Sequence, residues 1–68
     1  MGAGKALLSA TLAKKFSWQF IDANPSVKNI KNYIVSRLFN SYYLNSITIH
    51  IIQQETILII NGYKKTGE

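Results

Sequence analysis

Most of the isoleucines of this 68-residue chain lie in one stretch, Ser46-Ile-Thr-Ile-His-Ile-Ile-Gln-Gln-Glu-Thr-Ile-Leu-Ile-Ile-Asn61. In its first half isoleucine recurs at every second position, and this period predicts a β-strand over about 46–52. The polar residues 53–55 form a loop, and a second strand follows over about 56–61. We therefore expect a β-hairpin. Its second strand is apolar on both faces and needs cover on both sides.

A helix is predicted immediately before this hairpin. Asn24 is a suitable N-cap, and Pro25 suits the first helical position, where no backbone N–H is needed. Apolar side chains then recur three or four residues apart and form one stripe, which consists of Val27, Ile30, Ile34 and Leu38. The sequence predicts an amphipathic helix over about 25–39, packed on one face of the hairpin. We expect a partner chain to cover the other face and complete the fold.

The N-terminal segment is basic. Residues 3–16 are mostly good helix formers and predict a helix, with an extended basic tail as the alternative. Gly2-Ala3-Gly4-Lys5 is similar to part of a phosphate-binding loop, but Ala6 stands where that motif needs Ser or Thr, so no nucleotide site is expected. The predicted fold class is α+β. Its segments are a basic N-terminal segment (1–23), a helix plus β-hairpin domain (24–63) and a polar tail (64–68).

The composition argues against an enzyme. The chain has no cysteine and one histidine, His50, so neither a disulfide nor a protein-only metal site is expected. Its three acids do not form the paired titratable groups that acid–base catalysis requires. We therefore predict no catalytic residue, no cofactor and no small-molecule substrate. No apolar run reaches the roughly 18 residues of a transmembrane helix, and a membrane partner is not expected.

The basic residues are the strongest functional signal. Eight Lys and Arg against three Asp and Glu give a net charge of +5, which favours polyanionic partners. Cations neutralise phosphates, and neighbouring aromatic rings stack on unpaired bases. The predicted RNA-binding residues are Lys5, Lys14, Lys15, Lys28, Lys31, Arg37, Lys64 and Lys65. The alternative is a solvated basic surface with the aromatic rings in the core.

Residues 27–61 resemble the start of the KH domain in the family of the universal small-subunit ribosomal protein S-three. The resemblance rests on Ile30, Tyr33, Ile34 and Leu38 in the helix, and on Ser46-Ile47-Thr48-Ile49 with the paired strand that follows. It implies a short or split KH-like domain, completed by a separate chain and bound to ribosomal RNA and other ribosomal proteins.

The expected function is that of a structural RNA-binding component of a small ribosomal subunit. A mitochondrial location is expected, because the sequence is rich in Ile, Asn, Lys and Tyr, as products of AT-rich genes are; a cytoplasmic location is the alternative. Two other functions stay open. One is a small accessory subunit of a membrane-associated complex, with its N-terminal basic helix at the lipid interface. The other is an interaction domain that dimerises through the hairpin edge.

Overall fold

The computed structural model describes residues 2–66, with side chains from Leu8 onward, and it confirms the α+β class. Three helices and a two-stranded antiparallel sheet form the fold. In chain order the elements are α1 (Gly2–Phe16), β1 (Trp18–Phe20), α2 (Val27–Asn40), α3 (Ser46–Ile60) and β2 (Tyr63–Lys65). None of the described helices is both long and apolar enough to cross a bilayer.

Helix α1 confirms the helix predicted over 3–16 and excludes an extended tail there. It turns Ser9 and Ala13 inward, and each is only 2% exposed. The helix stops because Ser17 adopts a left-handed conformation, with φ 63°, and its N–H donates to the carbonyl of Lys14. This turn directs the chain into β1.

Helix α2 confirms the helix predicted over 25–39, but its cap lies two residues after the predicted one. Ser26, not Asn24, is the N-cap, and its Oγ accepts a hydrogen bond from the N–H of Asn29 at 3.1 Å. The N–H of Asn24 instead donates to Oδ1 of Asp22 at 2.9 Å, in a local turn before the helix. This turn places Asn24 before the helix, and Ser26 is the residue whose side-chain oxygen accepts from the first turn.

The predicted hairpin over 46–52 and 56–61 is wrong, because Ser46–Ile60 is one continuous α-helix. Asn45 caps it through a 2.8 Å hydrogen bond from the N–H of Thr48, and no Gly or Pro interrupts residues 46–60. The helix ends at Ile60, Asn61 is its C-cap, and Gly62 follows with a φ of 89° that suits a C-terminal turn. A short apolar run fits a buried helix and a strand equally well, and helical packing of Ile52 and Leu58 overrides the β-preference of the isoleucines.

The sheet lies elsewhere in the chain and joins segments from its two halves. Trp18 pairs with Lys65, Gln19 with Lys64 and Phe20 with Tyr63. Beyond the ladder, the hydroxyl of Thr66 donates to the carbonyl of Ser17, 49 positions earlier. Part of the predicted polar tail over 64–68 is therefore strand β2, whereas positions 67 and 68 lie outside the described residues.

The core is small and aromatic. Its buried residues are Ala13, Trp18 and Leu58, and the partly buried residues packed on them are Leu12, Phe16, Tyr33, Ile59 and Tyr63. Trp18 makes edge-to-face contacts with Phe16 and with Tyr33 at centroid distances of 6.4 and 6.1 Å. Helix α2 has no buried residue: in its predicted apolar stripe Ile30 and Ile34 are half-buried, and Val27 and Leu38 are exposed.

Candidate nucleic-acid interface

Two of the predicted RNA-binding lysines meet at one hollow, which we call the basic hollow. Its volume is about 570 Å³, and it is lined by Lys15, Phe16, Trp18, His50, Ile51, Gln54, Glu55 and Lys65. Helix α1 contributes the first two residues, β1 the tryptophan, α3 the next four and β2 the second lysine. Two N-terminal elements, α1 and β1, and two C-terminal elements, α3 and β2, therefore build this surface.

The local geometry explains how the two lysines come together. Lys15 lies in the last turn of α1, one residue before the helix ends and the left-handed turn leads into β1. Lys65 is the register partner of Trp18 in the sheet, so the strand pairing places it beside the end of α1. Both lysines are exposed, and His50 is an exposed residue of α3 on the same hollow. The result is an exposed basic surface next to aromatic rings.

The one acid that lines the basic hollow is held by a cation. Arg37 Nε donates to Glu55 Oε1 at 2.8 Å, and the two side chains are 33% and 16% exposed. The hydrogen bond to Glu55 is the main cause that raises the pKa of Arg37. This ion pair compensates the charge of the Glu55 carboxylate, so Glu55 adds less negative charge to the basic hollow.

Tyr33 completes a small polar cluster with this ion pair. Burial is the largest cause that raises the pKa of Tyr33, and the negative charge of Glu55 and a hydrogen bond to it raise the pKa further. The phenol of Tyr33 therefore keeps its proton at pH values at which an ordinary tyrosine has lost it. The cluster fastens α2 to α3 beside the basic hollow, and it engages Arg37, which the sequence assigns to RNA.

The other predicted RNA-binding residues are dispersed. Lys14 adjoins Lys15 on α1, and Lys28 and Lys31 are exposed residues of α2 that do not line the basic hollow. Lys64 lines a different hollow of about 500 Å³ together with Asn29 and Asn32. Lys5 belongs to α1, but its side chain lies outside the described ones.

Sequence reasoning counted Trp18 among the aromatic residues near the lysines but could not place it, and it missed the contribution of His50 to the same surface. The tryptophan belongs to no recognisable period in the sequence, and the histidine falls within a predicted strand that is in fact α3. Only the pairing of β1 with β2 reveals that Lys65 belongs beside Lys15. A sheet between two three-residue strands gives almost no signal in the sequence.

Within residues 2–66, no three His, Cys, Asp or Glu side chains are grouped so that they could hold a metal ion. Glu55, which lines the hollow with His50, is bound by Arg37. The phosphate-loop-like residues Gly2–Lys5 are part of α1.

Protein-family models, curated proteins and solved structures give no match to this chain.

Proposed function

We propose that the protein is a non-enzymatic RNA-binding component of a ribonucleoprotein assembly. The observation that carries this proposal is the meeting of Lys15 and Lys65 beside Phe16 and His50 in a chain of net charge +5. Ammonium groups bind phosphates, and the faces of adjacent rings stack on unpaired bases. Proteins that bind single-stranded nucleic acid combine these two contacts. The predicted setting is the small subunit of a mitochondrial ribosome, and it is part of the proposal.

The mode of binding differs from the one that the KH resemblance implies. A KH-like domain needs strands within residues 46–61, and these residues form α3. In the proposed mode the RNA backbone crosses the end of α1 and strand β2, where Lys15 and Lys65 neutralise phosphates. Trp18 is only 8% exposed, so a base would stack on Phe16 or on the imidazole of His50 rather than on the indole.

Fluorescence anisotropy with a labelled single-stranded RNA tests the proposal. The variant K15A/K65A is compared with K28A/K31A, which removes the same charge from exposed positions on α2. For single strands the log–log salt slope of binding decreases by about 0.7 for each phosphate that the protein no longer neutralises. For K15A/K65A only, we therefore expect a slope smaller by about 1.4 and an affinity at least tenfold weaker.

Equal effects of the two double variants would indicate diffuse attraction to a basic surface and would overturn the assignment of the basic hollow. Binding of the wild-type chain that does not respond to salt would reject RNA-phosphate recognition altogether.

Anionic vesicles in place of RNA examine the alternative of a membrane-associated accessory subunit. Exposed aromatic residues such as Phe39 and Tyr42, 84% and 102% exposed, are the observation that favours this alternative. Vesicle binding without RNA binding would support it against our proposal.

A further inference from the structure

An apolar groove lies between α2 and α3. We call it the α2–α3 groove; its volume is about 430 Å³, and its apolar lining consists of Ile34, Leu38, Ile49, Ile52 and Ile57. Gln53 and Thr56 complete the lining. The hydroxyl of Thr56 donates to the carbonyl of Ile52 at 2.7 Å, so this hydroxyl already has an acceptor within its own helix.

The groove remains open in the single chain. Leu38, Ile49 and Ile57 are 44%, 43% and 39% exposed, although they line the surface where two helices meet. The apolar stripe of α2 continues along this side, where Val27 is 80% exposed. Contiguous exposed apolar side chains of this kind are typical of interaction sites.

The chain exposes more surface than a compact monomer of its mass. A compact monomer of 7.7 kDa is expected to expose about 4,300 Å². The chain exposes 5282 Å², an excess of roughly 950 Å² over that expectation. A stable interface of standard size buries about 800 Å² on each partner. The exposed area of the whole chain therefore exceeds that of a compact monomer by about the area that one partner buries in a standard interface.

The distribution of charge indicates which partner fits. Every residue that lines the α2–α3 groove is uncharged, whereas the two polar hollows carry Lys15 and Lys65 or Lys64. Two copies of a chain with net charge +5 repel each other wherever their lysines meet. The groove presents a large apolar surface without that penalty. An acidic partner would gain more at the lysine-bearing faces than here.

We propose that the α2–α3 groove is the interface of a homodimer. Helices α2 and α3 are joined by only residues 41–45, so they are neighbours of opposite direction in each copy. A two-fold axis across the groove places the same apolar side chains of the two copies against each other. The α2–α3 pairs then form a four-helix arrangement, with the basic hollow of each copy left accessible at α1 and the sheet.

Sedimentation equilibrium of the full chain without RNA, from low to high micromolar concentration, tests this. We expect twice the 7.7 kDa monomer mass for the wild type. Ile49→Glu, which puts a charge into the groove, should weaken dimerisation at least a hundredfold. Ile47→Glu is the matched control, because Ile47 lies on the same helix, is 70% exposed and does not line the groove. Both changes lower the net positive charge equally, so a difference between them reports position.

A second pair of variants guards against misfolding. Leu38→Lys introduces a charge into the groove from α2, and Phe39→Lys places the same charge at a position that is 84% exposed. Circular dichroism should be unchanged for both, and only Leu38→Lys should be monomeric. A wild-type chain that stays monomeric throughout, or groove variants that dimerise like their controls, would overturn the proposal.

Dimerisation and RNA binding should be lost in different variants. Ile49→Glu should keep RNA affinity per chain within about threefold, and K15A/K65A should remain dimeric.

Discussion

Arg37 Nε and Glu55 Oε1 lie 2.8 Å apart and connect the C-terminal half of α2 to the middle of α3. This ion pair stands beside Tyr33 at the edge of the aromatic core. A polar contact therefore joins the central helix to the segment after it, where the sequence predicts an apolar one. The ion pair holds α2 and α3 together at this point.

Removing one partner of this pair should destabilise the fold. For Arg37→Ala we expect the free energy of unfolding to fall by about 1–2 kcal/mol, because the half-buried carboxylate of Glu55 loses its charge-assisted hydrogen bond. Lys31→Ala, at an exposed position of the same helix, should change it by less than about 0.5 kcal/mol. Urea unfolding followed by Trp18 fluorescence measures both. An equal change in the free energy of unfolding for the two variants would mean that the Arg37–Glu55 pair contributes no more to stability than an exposed lysine does.

Stability should fall in alkaline solution because of Tyr33. Its raised pKa means that, from pH 10 upward, the unfolded state loses the phenolic proton before the folded state does. The stabilisation is complete below pH 10 and decreases as the pH rises further. One whole proton would give about 1.4 kcal/mol per pH unit, and partial exposure of Tyr33 makes the expected slope smaller.

Urea unfolding of Tyr33→Phe between pH 8 and 11 checks this expectation. The variant should lose part of the alkaline decrease, and Tyr43→Phe, at a position that is 70% exposed, should keep all of it. Parallel pH profiles for wild type and Tyr33→Phe would contradict it.

Gly62→Ala should be the most damaging small substitution. A β-carbon at this position would lie 1.8 Å from the carbonyl oxygen of Asp22, and the φ of +89° is unfavourable for any L-residue with a side chain. The carbonyl of Gly62 also accepts the N–H groups of Ile21 and Asp22, at 2.8 and 3.1 Å. Strain and overpacking together should cost more than about 3 kcal/mol.

Thermal unfolding monitored by circular dichroism measures the effect, with Lys64→Ala, two residues later and exposed, as the control. A melting temperature of Gly62→Ala within about 2 °C of wild type would show that the chain relaxes around the added methyl group.

Ser9→Ala should stabilise the protein. The side chain of Ser9 is 2% exposed, and its hydroxyl has no hydrogen-bond partner among the residues that the structure describes. An unpartnered buried hydroxyl costs roughly 1–3 kcal/mol, and alanine also has the higher helix propensity. We expect a gain of about 1 kcal/mol in urea unfolding, whereas Ser46→Ala, at an exposed position, gains less than half of that. A loss of stability in Ser9→Ala would indicate that the hydroxyl is hydrogen-bonded in solution.

The parts of the fold that were predictable are those with local signals. Helices α1 and α2 follow from good helix formers and from apolar spacing, and the α+β class was predicted correctly. Helix α3 was not predictable in this way. Its β-branched residues favour a strand locally, and only the contacts of Leu58 with Trp18 and Ala13 decide for a helix.

The candidate interface was predictable only as a set of residue types. The excess of lysine is visible in the sequence, but Lys15 and Lys65 become neighbours through the three-residue strands that join Trp18 to Lys65. The engagement of Arg37 by Glu55 was equally hidden, because the two residues are 18 positions apart. Side-chain partners at such separations follow from tertiary packing, which the pattern of a single sequence does not contain.

The bond from Thr66 to Ser17, across 49 positions, has a consequence for how the protein is made. The helices can form early during synthesis, because their hydrogen bonds are local. The pairing of β1 with β2 and the bond from Thr66 to Ser17 must wait until residue 66 has been synthesised. Until then Trp18 lacks its cross-strand neighbour Lys65. The contact that closes the sheet therefore forms late in folding, because it joins the segments with the largest sequence separation.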